Sequence, residues 1–381
     1  MRKKHQLLKW VSMTAILLAL TACSNQKQST EPENAGMNVT TNGNNSDKTG
    51  ATVTIRAIGD ILLHDAVYNN AATENGYSFD KMFEAVKPYI ENADISIANL
   101  ETIAAGNALG VSTYPMFNAP EEIIDTLKDY LGIDIVNNTT NHTMDRGPEG
   151  ARASIEALKA RDMMYVGSYS SWDDYNTPRI IERNGIKVGF LAYSYGTNGN
   201  YLPEDQTYLN TLIDTELIPL EIELINKQVD VSVVIIQNGE EYEILPSLSQ
   251  IEVNQIARDA GANFILGGHP HVLEPFIYYN ESQAGIFSHG NFLSGQIELE
   301  TKLGGITEVT YRKTSDGRVL VDGMRFMPTY NFGLPESADY YVVPLADWEK
   351  YGIPDGQAIF NGLKDRMRYF TDRVEVVEYL D

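Results

Sequence analysis

The chain has 381 residues, 43% of them hydrophobic and 22 of them tyrosine, which is enough to bury a sizeable core and too apolar for a disordered protein. Its formal charge of -23 excludes nucleic acid as a partner, because a phosphate backbone would be repelled. The single cysteine excludes an intrachain disulfide.

The elements begin with a segment that does not belong to the folded body. Arg2, Lys3, Lys4 and Lys9 stand at the front, Trp10 to Leu20 is apolar, and the stretch closes in "LTAC" at Cys23. This is the layout of an export signal, and its apolar part is too short for a permanent bilayer span. The four closing residues resemble the bacterial lipoprotein signal, in which cleavage leaves the cysteine as a lipid-bearing first residue. Residues 1–23 are therefore expected to be a lipoprotein signal with Cys23 as the lipidation site. The mature body, near -27 after loss of four cations, would be held outside the cell membrane of a bacterium. An ordinary secretory signal with an incidental cysteine is the alternative. Residues 24–50 are dense in Asn, Ser, Thr and Gly and read as a disordered tether.

From Ala51 short apolar runs alternate with helical periodicity. "TVTIRAIGD" is a predicted strand, "FDKMFEAVKPYIENA" a helix and "DISIANLE" a strand. "PEEIIDTLKDYLG" is a helix opened by Pro120 and closed by Gly132. The strand "IDIVNN", the helix "PEGARASIEALKARD" and the strand "IKVGFLAYSY" follow. A helix around Asp214 to Lys227, the strand "VSVVIIQNG", a helix over 248–260 and the strand "NFILGG" complete the alternation. Repeated strand–helix–strand units predict a largely parallel sheet covered by helices. After Glu274 the period changes to two, with a hairpin turn at Asp316-Gly317, so the C-terminal half should be β-rich and antiparallel. We expect one α/β domain over 51–335 and a C-terminal extension over 336–381, with a helix from Asp355 to Tyr369, packed on it.

Ligands of open α/β sheets bind beyond the carboxyl ends of the strands. Those ends deliver Asp60 and His64 ("GDILLH"), Asn99 and Glu101 ("NLE"), Asn141, His142 and Asp145 ("TNHTMD"), His269 and His271 ("GGHPH"), and His289 and Asn291 ("SHGN"). Five of the six histidines lie there. A lone histidine is most simply a hydrogen-bonded structural residue; five along one edge, among carboxylates and amides, point to a shared site. Imidazole nitrogen mixed with carboxylate and amide oxygen suits a divalent transition metal, and the lack of cysteine ligands argues against a structural zinc knot. Two such ions can activate water and neutralise a phosphoryl group. Arg146 and Arg152 are candidates for holding a carboxylate or phosphate. Glu240, Glu241 and Glu243 either line the cleft or form a solvated loop, and Tyr193, Tyr195 and Tyr201 either flank a groove or lie in the core. No glycine-rich phosphate loop and no Gly-x-Ser-x-Gly elbow is present.

"GDILLH", "IANLET", "NNTTNHTMDRG", "GGHPHV" and "SHGNF", in this order, resemble the CapA-type bacterial capsule proteins of poly-γ-glutamate synthesis over about Thr52 to Tyr330. That family is similar to calcineurin-like metallophosphoesterases. The resemblance implies a β-sandwich flanked by helices, a membrane-anchored and outward-facing protein, and work in assembly or export of the polymer alongside capsule-synthesis membrane proteins. It further implies Asp60, Asn99 or Glu101, Asn141, His269 and His271 as ligands for one or two Mn, Zn or Fe ions. His142 would protonate the leaving oxygen, with Asp145 and His64 beside it, and Arg146, Glu241, His289 and Asn291 would face the substrate. At two places the text departs from the metallophosphoesterase pattern. Leu62 stands where Asp-x-His would put a histidine, with His64 two residues on. Gln237 stands where a histidine is usual, and a neutral amide binds Zn or Mn more weakly than imidazole. A two-metal enzyme, a single-metal site and a metal-free accessory protein all remain compatible with these residues.

Overall fold

The computed structural model describes residues 50–106, 109–333 and 339–381. Cys23, the signal and all but the last residue of the tether lie outside these residues. Two mixed sheets carry the fold. The first is built around β1 (Thr52–Leu62), which pairs in parallel with β2 (Ile95–Asn99), followed outward by β3 (Ile135–Asn137) and β4 (Met164–Val166). On its other side β1 pairs antiparallel with β12 (Leu303–Lys313), itself paired with β13 (Val319–Phe332). The second sheet runs β9 (Leu273–Asn280), β10 (Gln283–His289), β8 (Phe264–Gly268), β7 (Val231–Gln237), β6 (Ile186–Ser194) and β5 (Arg179–Arg183). Strands β6, β7, β8 and β10 are parallel, with antiparallel strands at both edges.

The period-two pattern of the strands explains the layers. On β7, Val231, Val233 and Ile235 point into the main core with Val53, Ile55 and Ala57 of β1 and Ile306 and Val309 of β12. Its alternate residues Val234 and Ile236 face outward, into a second core under α2 (Leu217–Ile225) and α3 (Leu248–Asp259). Both faces of this strand are buried, which is why it reads as a continuous apolar run. Helix α1 (Gly147–Ala160) lies beside β4, buries Ile155 and Leu158 and leaves its charged side outward. The α/β architecture is thus a two-sheet sandwich flanked by helices, as the resemblance implies, rather than the single parallel sheet that the alternation alone predicts.

Two further expectations change. The segment 79–93 is not one helix: a short 3-10 turn at Asp80–Phe83 and a helical turn at Pro88–Glu91 replace it. Pro88 has no N–H for an internal helix bond and begins the second piece. Residues 341–344 and 374–376, assigned to an extension, supply β14 (Tyr341–Pro344) and β15 (Val374–Val376), and both pair with β13. The C-terminal helix forms as α4 (Gly356–Met367). The last residue also ties back: Arg56, buried in β1, bonds Glu308 at 2.8 Å and the Asp381 carbonyl at 2.7 Å.

Candidate functional site

Because the central strands of both sheets run parallel, their carboxyl ends deliver side chains to one place. Asp60 is brought in by an irregularity. Between Asp60 and Ile61 the register of β1 against β11 (Asn291–Ser294) shifts, and the Asp60 N–H donates to Gly290 O at 3.0 Å. Gly59 permits this approach, since a Cβ there would lie 2.1 Å from Gly290 O. The Asp60 carboxylate then accepts from Asn99 Nδ2 at 2.6 Å and meets His271 Nδ1 at 2.9 Å. Asn99 Nδ2 donates also to Glu101 Oε2 at 2.7 Å, and its Oδ1 accepts from Asn137 at 2.6 Å. Asn291 Oδ1 stands 3.1 Å from His271 Nδ1. Both neighbours of that nitrogen are acceptors, so it carries a hydrogen.

The "NNTTNHTMD" loop is fastened from within. Thr140 Oγ1 donates to the Glu101 carbonyl at 2.9 Å and accepts from His142 N, while Thr143 Oγ1 bonds Asn138 O. This answers why so many polar residues follow β3: their hydroxyls and amides replace the ladder the backbone has left. The loop presents His142, whose Nδ1 lies 2.8 Å from Asp145 Oδ2. Asp145 is held in turn by the Phe117 N–H at 2.8 Å and Asn200 at 3.3 Å. A carboxylate fixed by two donors orients an imidazole and leaves its far nitrogen to give or take a proton.

His269 and His271 have φ of 93° and 60°, where non-glycine backbone costs about 1–3 kcal/mol, and Asn198 (52°) and Tyr242 (67°) share the left-handed region nearby. Such concentrated strain marks a site whose geometry is held by its surroundings. Electrostatics agree. Burial, then the charge of Asp60, raises the Glu101 carboxyl to about 7. Burial lowers His271, but its hydrogen bond to Asp60 and the charges of Asp60, Glu101 and Glu241 carry it up to about 9. Burial and the charge of His271 hold His269 down at about 3. His64 is lowered chiefly by burial and also feels His271 and His142. Asp60, His142 and His269, widely separated in the sequence, therefore share one electrostatic neighbourhood.

The remaining site residues divide. Gly295 N–H donates to His64 Nδ1 at 3.2 Å, and Phe117 packs edge-on between His64 (5.2 Å) and His142 (4.8 Å). His289 is buried, its ring held down at about 4 by desolvation, and it lies against Gly59 behind Asp60. Glu241 lies on an exposed loop whose Tyr242 faces His271 at 6.3 Å. Arg146, expected to meet an anion, is committed to the carbonyls of Leu109 (2.5 Å) and Gly110 (2.8 Å). Arg152 bonds Pro148 O and Gln206. Among the tyrosines, Tyr193 is core and Tyr195 is rim, its ring 4.4 Å from His269. Phe117, Tyr242, Asn198 and Asn200 belong to the site without having been expected. Tyr242 follows the acidic pair Glu240-Glu241 and was within reach of the sequence, whereas nothing local marks Phe117.

Among the described residues no three His, Cys, Asp or Glu side chains stand together at ion-holding geometry. Glu101 Oε1, Asn141 Oδ1, Gln237 Oε1, His269 Nδ1 and His289 Nε2 are nevertheless among the buried atoms with no hydrogen-bond partner. All can act as acceptors, and a buried acceptor without a donor costs about 1–3 kcal/mol. Oxygen and imidazole acceptors of this kind fit a divalent cation in chemistry.

Comparison with known proteins matches residues 54–296 to the family of bacterial capsule synthesis proteins PGA_cap, a span that contains every residue of the cleft. The chain is 27% identical over 278 residues to the capsule biosynthesis protein CapA of Bacillus anthracis, covering 71% of this chain and 66% of that one. It is 26% identical over 264 residues to the PGA biosynthesis protein CapA of Bacillus subtilis, covering 68% of each. The alignments thus span about two thirds of these relatives' lengths. Among solved structures, the NAD nucleotidase of Haemophilus influenzae superposes with a TM-score of 0.45 at 12% identity, covering 87% of this chain and 58% of that one. With the match extending over more than half of its length, this chain belongs to the PGA_cap family of bacterial capsule synthesis proteins.

Proposed function

We propose that this protein acts in synthesis or export of a poly-γ-glutamate capsule, as a lipoprotein tethered by Cys23 outside the cell membrane, with the cleft around Asp60 as its working site. One observation carries the proposal: the family match covers 54–296, and within it five separated motifs meet around a buried Asp60–His271 pair. Asp60, Glu101, Asn141, His269 and His271 would hold a divalent ion, Mn, Zn or Fe. Such an ion supplies Lewis acidity and a water of lowered pKa. This chain's own part is to hold His142 with Asp145 so that Nε2 can move a proton. Membrane proteins of capsule synthesis are the natural partners. A body near -27 repels polyglutamate over most of its surface, so contact with the polymer would be local.

Deletion of the gene tests the proposal: capsule should be lost, and an unchanged capsule would refute it. Cys23→Ser should release the protein into the medium; full membrane retention would refute lipid anchoring. The His142–Asp145 pair supports a second reading, a metal-dependent phosphoesterase or other hydrolase acting on an envelope substrate. Metal analysis followed by phosphomonoester and phosphodiester assays decides it. Bound metal with turnover abolished in His142→Ala supports it, and metal-free, inert protein refutes it.

A further inference from the structure

Helix α2 carries more apolar residues than one face can bury. Six of the nine residues in Leu217–Ile225 are Leu or Ile, and they sort by type. Ile218, Ile222 and Ile225 are buried, the first two in the second core with Val253 and Ala257 of α3. Leu217, Leu220 and Leu224 are 39%, 62% and 59% exposed. At about 100° per residue these three form one stripe, turned away from the core. A surface helix ordinarily carries a single apolar stripe, and this one carries two. Glu221 accepts from the hydroxyls of Tyr175 and Tyr193, so the helix is fixed to the body and its outer stripe is ordered before any partner arrives.

The outer spacing, i, i+3 and i+7, is the seam spacing by which one helix packs along another. A lipid surface would call for different neighbours, because interfacial helices carry Lys and Arg on their polar side. Here the flanks hold Asp214, Glu216 and Glu223, with Lys227 as the one cation in 211–228, and an anionic bilayer would repel them.

The charges at the two ends of the helix complement each other. Glu216 precedes it and Lys227 follows it, both exposed and, at the helical repeat, on the same side of the stripe. A second copy turned end for end, about a two-fold axis near Leu220, matches every one of these positions. Leu217 then faces Leu224 of the second copy, Leu220 faces Leu220, and Lys227 of each copy meets Glu216 of the other. Leu212 and Leu248, 38% and 67% exposed, lie just before α2 and at the start of α3, where they extend the apolar surface.

We infer that α2 is the interface of a two-fold homodimer, packed antiparallel against α2 of a second copy. The stripe contains no residue of the Asp60 cleft. Thiol cross-linking of the full chain in intact cells tests the inference, with the unaltered chain, whose one cysteine is Cys23, as background. On oxidation Leu220→Cys should give a product of twice the chain's mass, and Asp365→Cys, exposed on α4, should give none above background. Leu217→Cys expressed together with Leu224→Cys should cross-link far more than either alone. Like positions would stand about 10 Å apart along the two axes, beyond disulfide reach. Sedimentation of the purified full chain in density-matched detergent should show a dimer. Glu216→Lys should weaken it roughly tenfold by setting like charges together, and Glu216→Lys with Lys227→Glu should restore it, which separates the interface from misfolding. A monomer at every concentration, equal cross-linking at Asp365→Cys and Leu220→Cys, or a double variant as weak as the single one overturns the inference. A monomer whose binding to anionic vesicles is lost in Leu220→Asp also overturns it and assigns the stripe to a bilayer.

Discussion

Replacing Asp60 by Asn keeps the shape of the buried residue and removes the charge that faces His271. Asp60 and His271 are 1% and 3% exposed and 2.9 Å apart, so little solvent screens them. In the folded chain His271 is raised from 6.5 to about 9, against a burial effect that by itself would lower it. A raised histidine stabilises the fold fully below pH 6.5, and the contribution disappears as pH rises through 9. The interval between 6.5 and about 9 corresponds to about 3 kcal/mol. That agrees with the ~3–5 kcal/mol expected when one partner of a buried pair is lost. Urea unfolding of metal-free protein at a series of pH values is the assay. Asp60→Asn should be less stable by about 3 kcal/mol near pH 6, and the difference should shrink above pH 9. A difference that stays constant across this range would refute the ion pair as the cause.

Glu274 offers the opposite sign. Its carboxyl is fully buried, holds only Gln250 at 2.5 Å and is pushed up to about 8 by desolvation. A raised carboxyl costs stability increasingly as pH rises from 4.5 through 8, so Glu274→Gln should stabilise by about 4 kcal/mol at pH 8 and by almost nothing near pH 4 in thermal or urea unfolding. Gly59→Ala should destabilise by about 2 kcal/mol and disturb the Asp60 bulge, because its Cβ would meet backbone, the Gly290 carbonyl, at 2.1 Å. Mn or Zn added at about a hundred times its dissociation constant should raise stability by about 2.7 kcal/mol, reversed by chelator. Asp60→Asn should abolish that gain, and an equal gain in the variant would place the ion elsewhere.

The strands and most helices were legible because each buries one periodic face, and β7 because it buries two. The pairing of two sheets was not, since "TVTIRAIGD" and "VSVVIIQNG" both read as central strands and nothing local assigns them to different sheets. Helix breaking at Pro88 follows a rule visible in the text, outweighed there by the apolar spacing of Met82, Phe83 and Val86. The floor of the site was legible in its histidines and carboxylates, as strand ends concentrate ligand-type residues. Its supports were not. Phe117 acts through a ring edge and a backbone N–H, and Asn200 through a long-range bond to Asp145, and neither contact has a sequence signature. Arg146 reads the same whether its guanidinium meets a ligand or the carbonyls of Leu109 and Gly110.

The central claim is that the cleft formed by these motifs performs the capsule function. Surface polyglutamate in the deletion strain, complemented with His142→Ala and with the unaltered gene at equal protein level, measures it most directly. The account predicts full restoration by the unaltered gene and little or none by the variant. Equal restoration by both would contradict it.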